Sequence, residues 1–269
     1  MRRNNRLSAA SRRFPWLMVL GVTFVAGLAA SSILLVASDN PPDQIPSDVS
    51  WTPETIAAAS LGDAFRGMLL ARRCDHCHGS EGFSATASTP NLAGMDKLAI
   101  WKQLQDFRSH KRASKAMEPI AESLSPRDVG DVVAYYSKLP VFTDAQDNRS
   151  FPQPRPDATQ AARASRLVSF GDGERGIPPC QACHGPVGYR PGVPSLSNQN
   201  AGYVLSQLEA FASRTRANDI NMPMRTIATL LTGDERRALA DYYGSGLGLQ
   251  PGSSSGPRSA TAPTPGKTK

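Results

Sequence analysis

Hydrophobic residues follow two different patterns along the 269-residue chain. Residues 14–38 carry no charged side chain, and at about 1.5 Å per residue a helix of this length crosses the hydrocarbon core of a bilayer. Further along, apolar residues recur at helical spacing, as at Trp101, Leu104 and Phe107. Since no alternating strand pattern or hairpin signal occurs, the sequence predicts an all-α protein.

The uncharged run is preceded by five arginines and by no acidic residue. The positive-inside rule keeps such arginines in the cytoplasm and sends the residues after the run across the membrane. A cleaved signal peptide has a shorter apolar core of about 7–15 residues, although Val36-Ala37-Ser38 would serve as a cleavage site. We therefore expect residues 1–38 to anchor the protein in a bacterial inner membrane, with its body in the periplasm; a signal peptide is the alternative.

Segments of biased composition divide the rest of the chain. Residues 39–53 are rich in Pro and Asp and are interpreted as a spacer. Residues 143–160 have the composition of an interdomain linker, and residues 247–269 that of a disordered tail. Two domains are left, at 54–142 and 161–246.

These two domains are repeats of one another. The segment "TPNLAG" at 89–94 matches "VPSLSN" at 193–198, and "KQLQDF" at 102–107 matches "SQLEAF" at 206–211. The spacing between matching positions stays between 104 and 107 residues. A constant spacing of this kind indicates a duplicated domain.

All four cysteines lie in two copies of Cys-x-x-Cys-His, which begin at Cys74 and Cys180. In this pentad the two thiols can add to the vinyl groups of a haem while the histidine binds the iron, and it is the attachment signature of c-type haem. The sequence therefore predicts two covalently bound haem c groups. The predicted attachment residues and histidine ligands are Cys74, Cys77 and His78 for the first, and Cys180, Cys183 and His184 for the second.

Other uses of paired cysteines fit less well. A disulfide between cysteines separated by only two residues closes a very short loop and stabilises a fold little. A zinc ribbon places its pairs about 15–20 residues apart, whereas 102 residues separate Cys77 from Cys180. A thioredoxin-like motif needs a βαβ context, which the pattern does not contain. None of these alternatives explains the repeated histidine.

The sixth iron ligand is expected at a position that recurs at the same distance from each histidine. Met117 lies 39 residues after His78, and Met224 lies 40 residues after His184; each begins the pattern M-x-x-I-A-x-x-L. A thioether ligand raises the potential of a haem. Both methionines are therefore predicted ligands, with Met222 as the rival in the second domain.

The net charge of +7 does not indicate nucleic-acid binding, because the excess lies at the chain ends. Residues 39–249 hold 22 basic and 23 acidic side chains. A local basic run precedes Met117 and either surrounds the exposed edge of the first haem as a docking site or forms a solvated loop. This run consists of Arg108, Lys111, Arg112 and Lys115; Arg214 and Arg216 are expected near a propionate of the second haem.

The chain resembles the di-haem cytochrome c4 family over residues 54–246. The segments "GIPPCQACHGPVG", "PSLSNQ", "YVLSQLEAF" and "RTRANDINMPM" succeed one another as in the second domain of that family. The resemblance implies two class I cytochrome c domains in tandem, whose haems face each other across the domain interface. It also implies the ligand pairs His78 with Met117 and His184 with Met224. The long linker and the membrane segment depart from the family pattern and favour a tethered carrier.

Two irons with histidine and methionine ligands have no open position for a substrate. We therefore expect an electron-transfer protein rather than an enzyme, working between a quinol-oxidising complex and a terminal oxidase or reductase of a respiratory chain. A cytochrome c subunit of a membrane-bound dehydrogenase is an alternative. A di-haem peroxidase is a further one, but it needs a displaceable ligand on one haem.

Overall fold

The structure, a computed structural model, describes residues 46–141, 156–185, 190–197 and 199–246, all within one compact unit, Asn40–Lys269. The predicted membrane segment, the tail and most of the linker lie outside the described residues. Inside them, no helix combines the length and the apolar character that crossing a bilayer requires.

The described residues are helical, as the apolar spacing predicted. They contain no strand, and their one pairing of extended backbone is the isolated bridge between Asp172 and Ile177. The first half contains α1 (Pro53–Ala58), α2 (Ala64–Ala71), α3 (Asp75–His78), α4 (Lys97–Arg108), α5 (Met117–Ser123) and α6 (Pro126–Tyr136). The second half contains α7 (Ala158–Ser169), α8 (Gln181–His184), α9 (Ala201–Ala212), α10 (Pro223–Leu230) and α11 (Gly233–Gly244).

The last helix of each half begins at a capping box. In α6 the Ser125 hydroxyl accepts from the amide of Asp128, whose carboxylate accepts in return from the Ser125 amide. In α11 Thr232 and Glu235 form the same reciprocal pair. Such caps satisfy amides that the first helical turn leaves without partners.

Each half has a hydrophobic core of its own. In the first half, α4 and α6 supply most of the core, for example through Leu104, Phe107 and Tyr136. In the second half, α9 and α11 supply the repeated positions Leu208 and Tyr243. The first cysteine of each motif packs against the core of its half, Cys74 in the first and Cys180 in the second.

In the first half, α2 crosses α6 at very short range because α2 carries a glycine at the crossing. A Cβ atom built on Gly67 would lie 1.9 Å from the carbonyl oxygen of Asp131. Next to this crossing, Arg66 Nε donates to the Asp131 carboxylate at 2.8 Å. The crossing fixes the helix that leads directly into Cys74.

Candidate functional site

Each Cys-x-x-Cys-His segment folds as a single helical turn. The amide of His78 donates to the carbonyl of Cys74 at 2.9 Å in α3, and the amide of His184 donates to the carbonyl of Cys180 at 2.9 Å in α8. Residues three and four positions apart share one face of a helix. Each histidine therefore lies on the same side of its turn as the first cysteine.

A proline carbonyl fixes each histidine ring. Nδ1 of His78 lies 2.9 Å from the carbonyl oxygen of Pro90, and Nδ1 of His184 lies 2.8 Å from that of Pro194. Because a carbonyl can only accept, Nδ1 carries the proton and Nε2 keeps its lone pair. Burial lowers the pKa of both imidazoles. Each ring is therefore a neutral, oriented donor through Nε2, which is what a metal ligand requires.

The repeated methionines lie in equivalent surroundings. Met117 begins α5 and packs against the core of the first half, and Met224 lies in the first turn of α10 against the core of the second half. Met222, in contrast, is the residue before α10, has a left-handed backbone (φ 64°) and is 42% exposed. These positions favour Met224 over Met222 as the equivalent of Met117.

The cysteines lack the properties of a redox-active dithiol. None of the four forms a disulfide. Burial raises the pKa of the Cys74 thiol, and it raises the pKa of Cys180 to about 11. Thiol–disulfide enzymes need the opposite shift, because the thiolate is the reactive form. The thioredoxin-like alternative is therefore disfavoured by the structure as well as by the absence of a strand in the described ranges.

A buried tyrosine hydroxyl lies beside the first cysteine of each pair. Tyr136 is fully buried, and besides the weakly polar thiol of Cys74 its hydroxyl has no partner among the described residues. The hydroxyl of Tyr243, the matching residue, has none either and lies near Cys180. Buried hydroxyls are normally hydrogen-bonded. Two unpaired ones at matching positions indicate that a further group with polar atoms belongs in each half.

The side chains of each half fit one covalently attached haem c. Two thiols suit thioether formation, a neutral imidazole and a thioether suit the two axial positions of the iron, and an apolar core suits the macrocycle. In the first half, Cys74 and Met117 contact the same core, and in the second half Cys180 and Met224 do so. Each half also contains a buried tyrosine hydroxyl without a partner among the described residues, that of Tyr136 or Tyr243.

The sequence did not reveal the polar contact between the halves, which is built from duplicated residues. Arg112 donates to Gln103 of its own half at 2.8 Å and to Gln207 of the other half at 3.0 Å. Arg216 does the reverse: it donates to Gln207 at 2.7 Å and to Gln103 at 3.1 Å. Arg112 also donates to the hydroxyl of Tyr203 at 2.8 Å. The two arginines and the two glutamines thus play reciprocal roles across the contact.

Buried charge is concentrated in this contact. Lys102 is 4% exposed; its ammonium group donates to the Asp106 carboxylate and, at 2.6 Å, to the carbonyl of Asn218 in the other half. Burial lowers the pKa of Lys102, and burial together with the nearby charge of Arg112 lowers the pKa of Arg216 to about 9. With a pKa of about 9, Arg216 is still charged at neutral pH.

A second part of the contact supports the first histidine. The side-chain amide of Gln199 accepts from the Asn91 amide at 2.8 Å and donates to the Asn91 carbonyl at 3.0 Å. Asn91 directly follows Pro90, whose carbonyl holds His78. The second half therefore helps to hold the loop that orients the histidine of the first.

The prediction that Arg112 belongs to an exposed docking ring is wrong. Its side chain lies in the contact between the halves and the residue is 9% exposed. Lys111 forms an ion pair with Asp48 at 3.1 Å, and only Lys115 of this run has an exposed side chain. The charges were visible in the sequence, but the partners of Arg112 across the contact are more than 90 residues away along the chain. Arg216, expected near a propionate, lies in the same contact.

Comparison with known proteins places the chain in a family. A profile described as "Cytochrome C oxidase, cbb3-type, subunit III" matches residues 63–135. Cytochrome c4 of Thiocapsa roseopersicina is 37% identical over 69% of this chain and 94% of that protein. The chain belongs to the cytochrome c4 family. The crystal structure of cytochrome c4 from Pseudomonas stutzeri matches with a TM-score of 0.60 at 30% identity, over 68% of this chain and 98% of that one.

A second relative bears a more specific name. The "Thiosulfate dehydrogenase electron acceptor" of Stutzerimonas stutzeri (strain A1501) is 40% identical over 64% of this chain and 78% of that protein. Both relatives are carriers of electrons rather than enzymes. The chain is a di-haem electron-transfer cytochrome with two covalently bound haem c groups, as the duplicated cysteine motif predicted.

Proposed function

We propose that each half of this cytochrome c4 family member, with domains at 54–142 and 161–246, holds one iron between a histidine and a methionine. The duplicated arrangement carries this proposal: two neutral histidines fixed by proline carbonyls, each paired with a methionine at the same place in its half. The first site consists of Cys74, Cys77, His78 and Met117, and the second of Cys180, Cys183, His184 and Met224.

These residues suit outer-sphere electron transfer. The haem supplies the redox couple when it is bound. The histidine and methionine of each half would hold the iron, the two cores would exclude water, and each imidazole ring is fixed through its Nδ1 proton. With no open position, a peroxidase reaction has no binding place for peroxide.

The contact between the halves supports electron transfer from one haem to the other. Gln103 and Gln207 each receive hydrogen bonds from both arginines, so separation of the halves would break charge-assisted bonds on both sides. We infer that the halves move as one body during a redox cycle. A fixed separation would let an electron enter through one half and leave through the other.

The physiological role that fits best is a tethered respiratory carrier on the periplasmic face of the inner membrane. The uncharged residues 14–38, with five arginines before them, support the tether. The family supports transfer between a quinol-oxidising complex and a terminal oxidase or reductase. A second candidate, electron acceptor of a dehydrogenase, is supported by the 40% identity to a relative with that name.

Partner-dependent reduction distinguishes these two roles. The oxidised full chain in lipid vesicles would be mixed either with a purified quinol-oxidising complex and quinol, or with a thiosulfate dehydrogenase and thiosulfate. The respiratory role predicts rapid reduction of both haems in the first mixture and reoxidation by a terminal oxidase. Reduction only in the second mixture would assign the dehydrogenase role, and reduction in neither would contradict both.

A further inference from the structure

The first two helices carry an exposed apolar surface, here called the α2 face. It consists of Ile56 in α1, Leu61 in the turn between α1 and α2, and Phe65, Met68 and Leu69 in α2. Leu61 is 83% exposed and Phe65 is 68% exposed. Monomeric soluble proteins rarely expose a contiguous group of large apolar side chains without a binding role.

The spacing of these residues makes them one stripe. Within α2, Met68 and Leu69 lie three and four positions after Phe65, which places these three side chains on one side of the helix, and Leu61 lies in the turn just before it. The opposite side of α2 packs on α6 through Gly67. The helix thus buries Gly67 and Ala71 and packs Leu70 against the core, while Phe65, Met68 and Leu69 remain exposed.

The corresponding helix of the second half has the ordinary pattern. In α7, the helix before the second cysteine motif, Leu167 and Val168 are buried, whereas Arg163 and Arg166 are exposed. Each of the two helices precedes the haem-attachment turn of its own half and packs on the last helix of that half. The fold therefore does not require the apolar residues of the α2 face, so they serve another purpose.

The charges around the stripe are compatible with a lipid surface. Two charged residues lie within this stretch: Arg66 is paired with the carboxylates of Asp131 and Asp128, and the exposed Asp63, the N-cap of α2, accepts from the amides of Phe65 and Arg66. Arg72 and Arg73 are exposed just beyond its end. An apolar stripe of Phe, Leu and Met next to arginines is the composition of helices that lie in the membrane interface.

The position of the stripe in the chain selects the membrane over other occupants. Residues 39–52 separate the predicted membrane segment from α1, and fully extended they reach only about 50 Å. A surface held this close to a bilayer needs little affinity of its own, because the tether makes docking intramolecular. A diffusing protein partner would gain nothing from this placement.

We propose that the α2 face docks on the periplasmic surface of the membrane in which the chain is anchored. This inference rests on the tether given under the proposed function. Docking would bury Leu61, Phe65 and Leu69 in the headgroup region and hold the first half against the bilayer. Partners embedded in the membrane would then meet the first haem in a restricted set of orientations.

Hydroxyl-radical footprinting of the full chain in nanodiscs of phosphatidylethanolamine and phosphatidylglycerol tests the proposal. Phe170, 78% exposed in the second half, is the internal control for Phe65. We expect Phe65 to be labelled at least about fivefold more slowly than Phe170. Equal labelling of the two in chains that stay with the disc would overturn the docking but keep the tether. Chains that do not stay with the disc would overturn both.

Paired variants separate lipid from protein contacts. In Leu61→Ser/Phe65→Ser, labelling of Met68 should rise severalfold in the disc, whereas Phe170→Ser should leave it unchanged. An unchanged methionine-to-ferric-iron charge-transfer band verifies that each variant has folded. Protection of Phe65 that appears only in discs with two copies of the chain, or only after a redox protein is added, would assign the face to a protein and overturn the proposal.

Discussion

The two halves of the molecule agree where residues serve the haem and differ where they meet the surroundings. His78 and His184 each donate to a proline carbonyl, and each half has its own methionine and an unpaired tyrosine. The helices before the two cysteine motifs, in contrast, expose an apolar stripe in α2 and arginines in α7. Such a comparison separates residues that build a haem site from residues that face a partner.

The halves also close their cores differently. α2 approaches α6 through Gly67, whereas α7 contains no glycine and packs on α11 with Leu167 and Val168. The helix before the first haem motif is thus held by close backbone approach, and the helix before the second by side-chain packing. Because the α2–α6 crossing has no room for added atoms, substitutions there should destabilise the protein more than substitutions between α7 and α11.

The largest expected effect is the loss of one haem when one pair of cysteines is removed. Cys74→Ser/Cys77→Ser and Cys180→Ser/Cys183→Ser should each lower the covalent haem content from two to one, because each pair holds its own macrocycle. The pyridine haemochrome assay with protein quantification measures this. A variant that keeps two covalent haems would contradict the assignment of that pair.

The next effect concerns the methionines. Met117→Ala and Met224→Ala should each open one iron, so that the reduced protein binds one carbon monoxide while the parent binds none. Met222→Ala is the matched control and should behave like the parent, since its side chain is exposed. If Met222→Ala opens an iron and Met224→Ala does not, the ligand of the second half has been misassigned. Optical titration with carbon monoxide gives the answer.

The contact between the halves should weaken by about 3 kcal/mol in Arg112→Gln or Arg216→Gln, because hydrogen bonds from a charged group contribute about 1.5–3 kcal/mol each. Native-state hydrogen exchange at the amide of Asn91, which is bonded to Gln199, reports the opening. Arg214→Gln, at an exposed position, is the control and should change exchange little. Equal exchange rates in all three variants would show that Arg112 and Arg216 do not stabilise the contact.

A smaller effect is expected where α2 crosses α6. Gly67→Ala should cost about 1–3 kcal/mol, because the new methyl group meets the Asp131 carbonyl. Gly173→Ala, where a Cβ atom meets nothing within 4 Å, should be nearly neutral. At about 2–4 °C per kcal/mol for a protein of this size, thermal unfolding resolves the difference. Equal melting temperatures would mean that the crossing adjusts at little cost.

Local signals were sufficient for the helices. The spacing of Trp101, Leu104 and Phe107 predicted α4. The cysteine motif and the repeat predict the histidines and Met117 as iron ligands without tertiary information. These features could be predicted because each depends on residues a few positions apart or on exact duplication.

Features that depend on distant partners could not be predicted. Pro90 and Pro194 were visible as repeated residues, but their carbonyl bonds to the histidines were not. The basic run suggested docking for Arg112, whose actual partners Tyr203 and Gln207 are more than 90 residues away. The repeated arginine and glutamine were the one available signal, since each half carries the glutamine on a matching helix and the arginine in the loop after it.

The claim that each half holds one haem between a histidine and a methionine has a direct test. The purified full chain would be analysed for covalent haem per chain, for the methionine-to-ferric-iron charge-transfer band, and for carbon monoxide binding after reduction. We predict two haems, the charge-transfer band with the intensity of two sites, and no carbon monoxide binding. One haem per chain, or a carbon monoxide adduct of the native reduced protein, would contradict it.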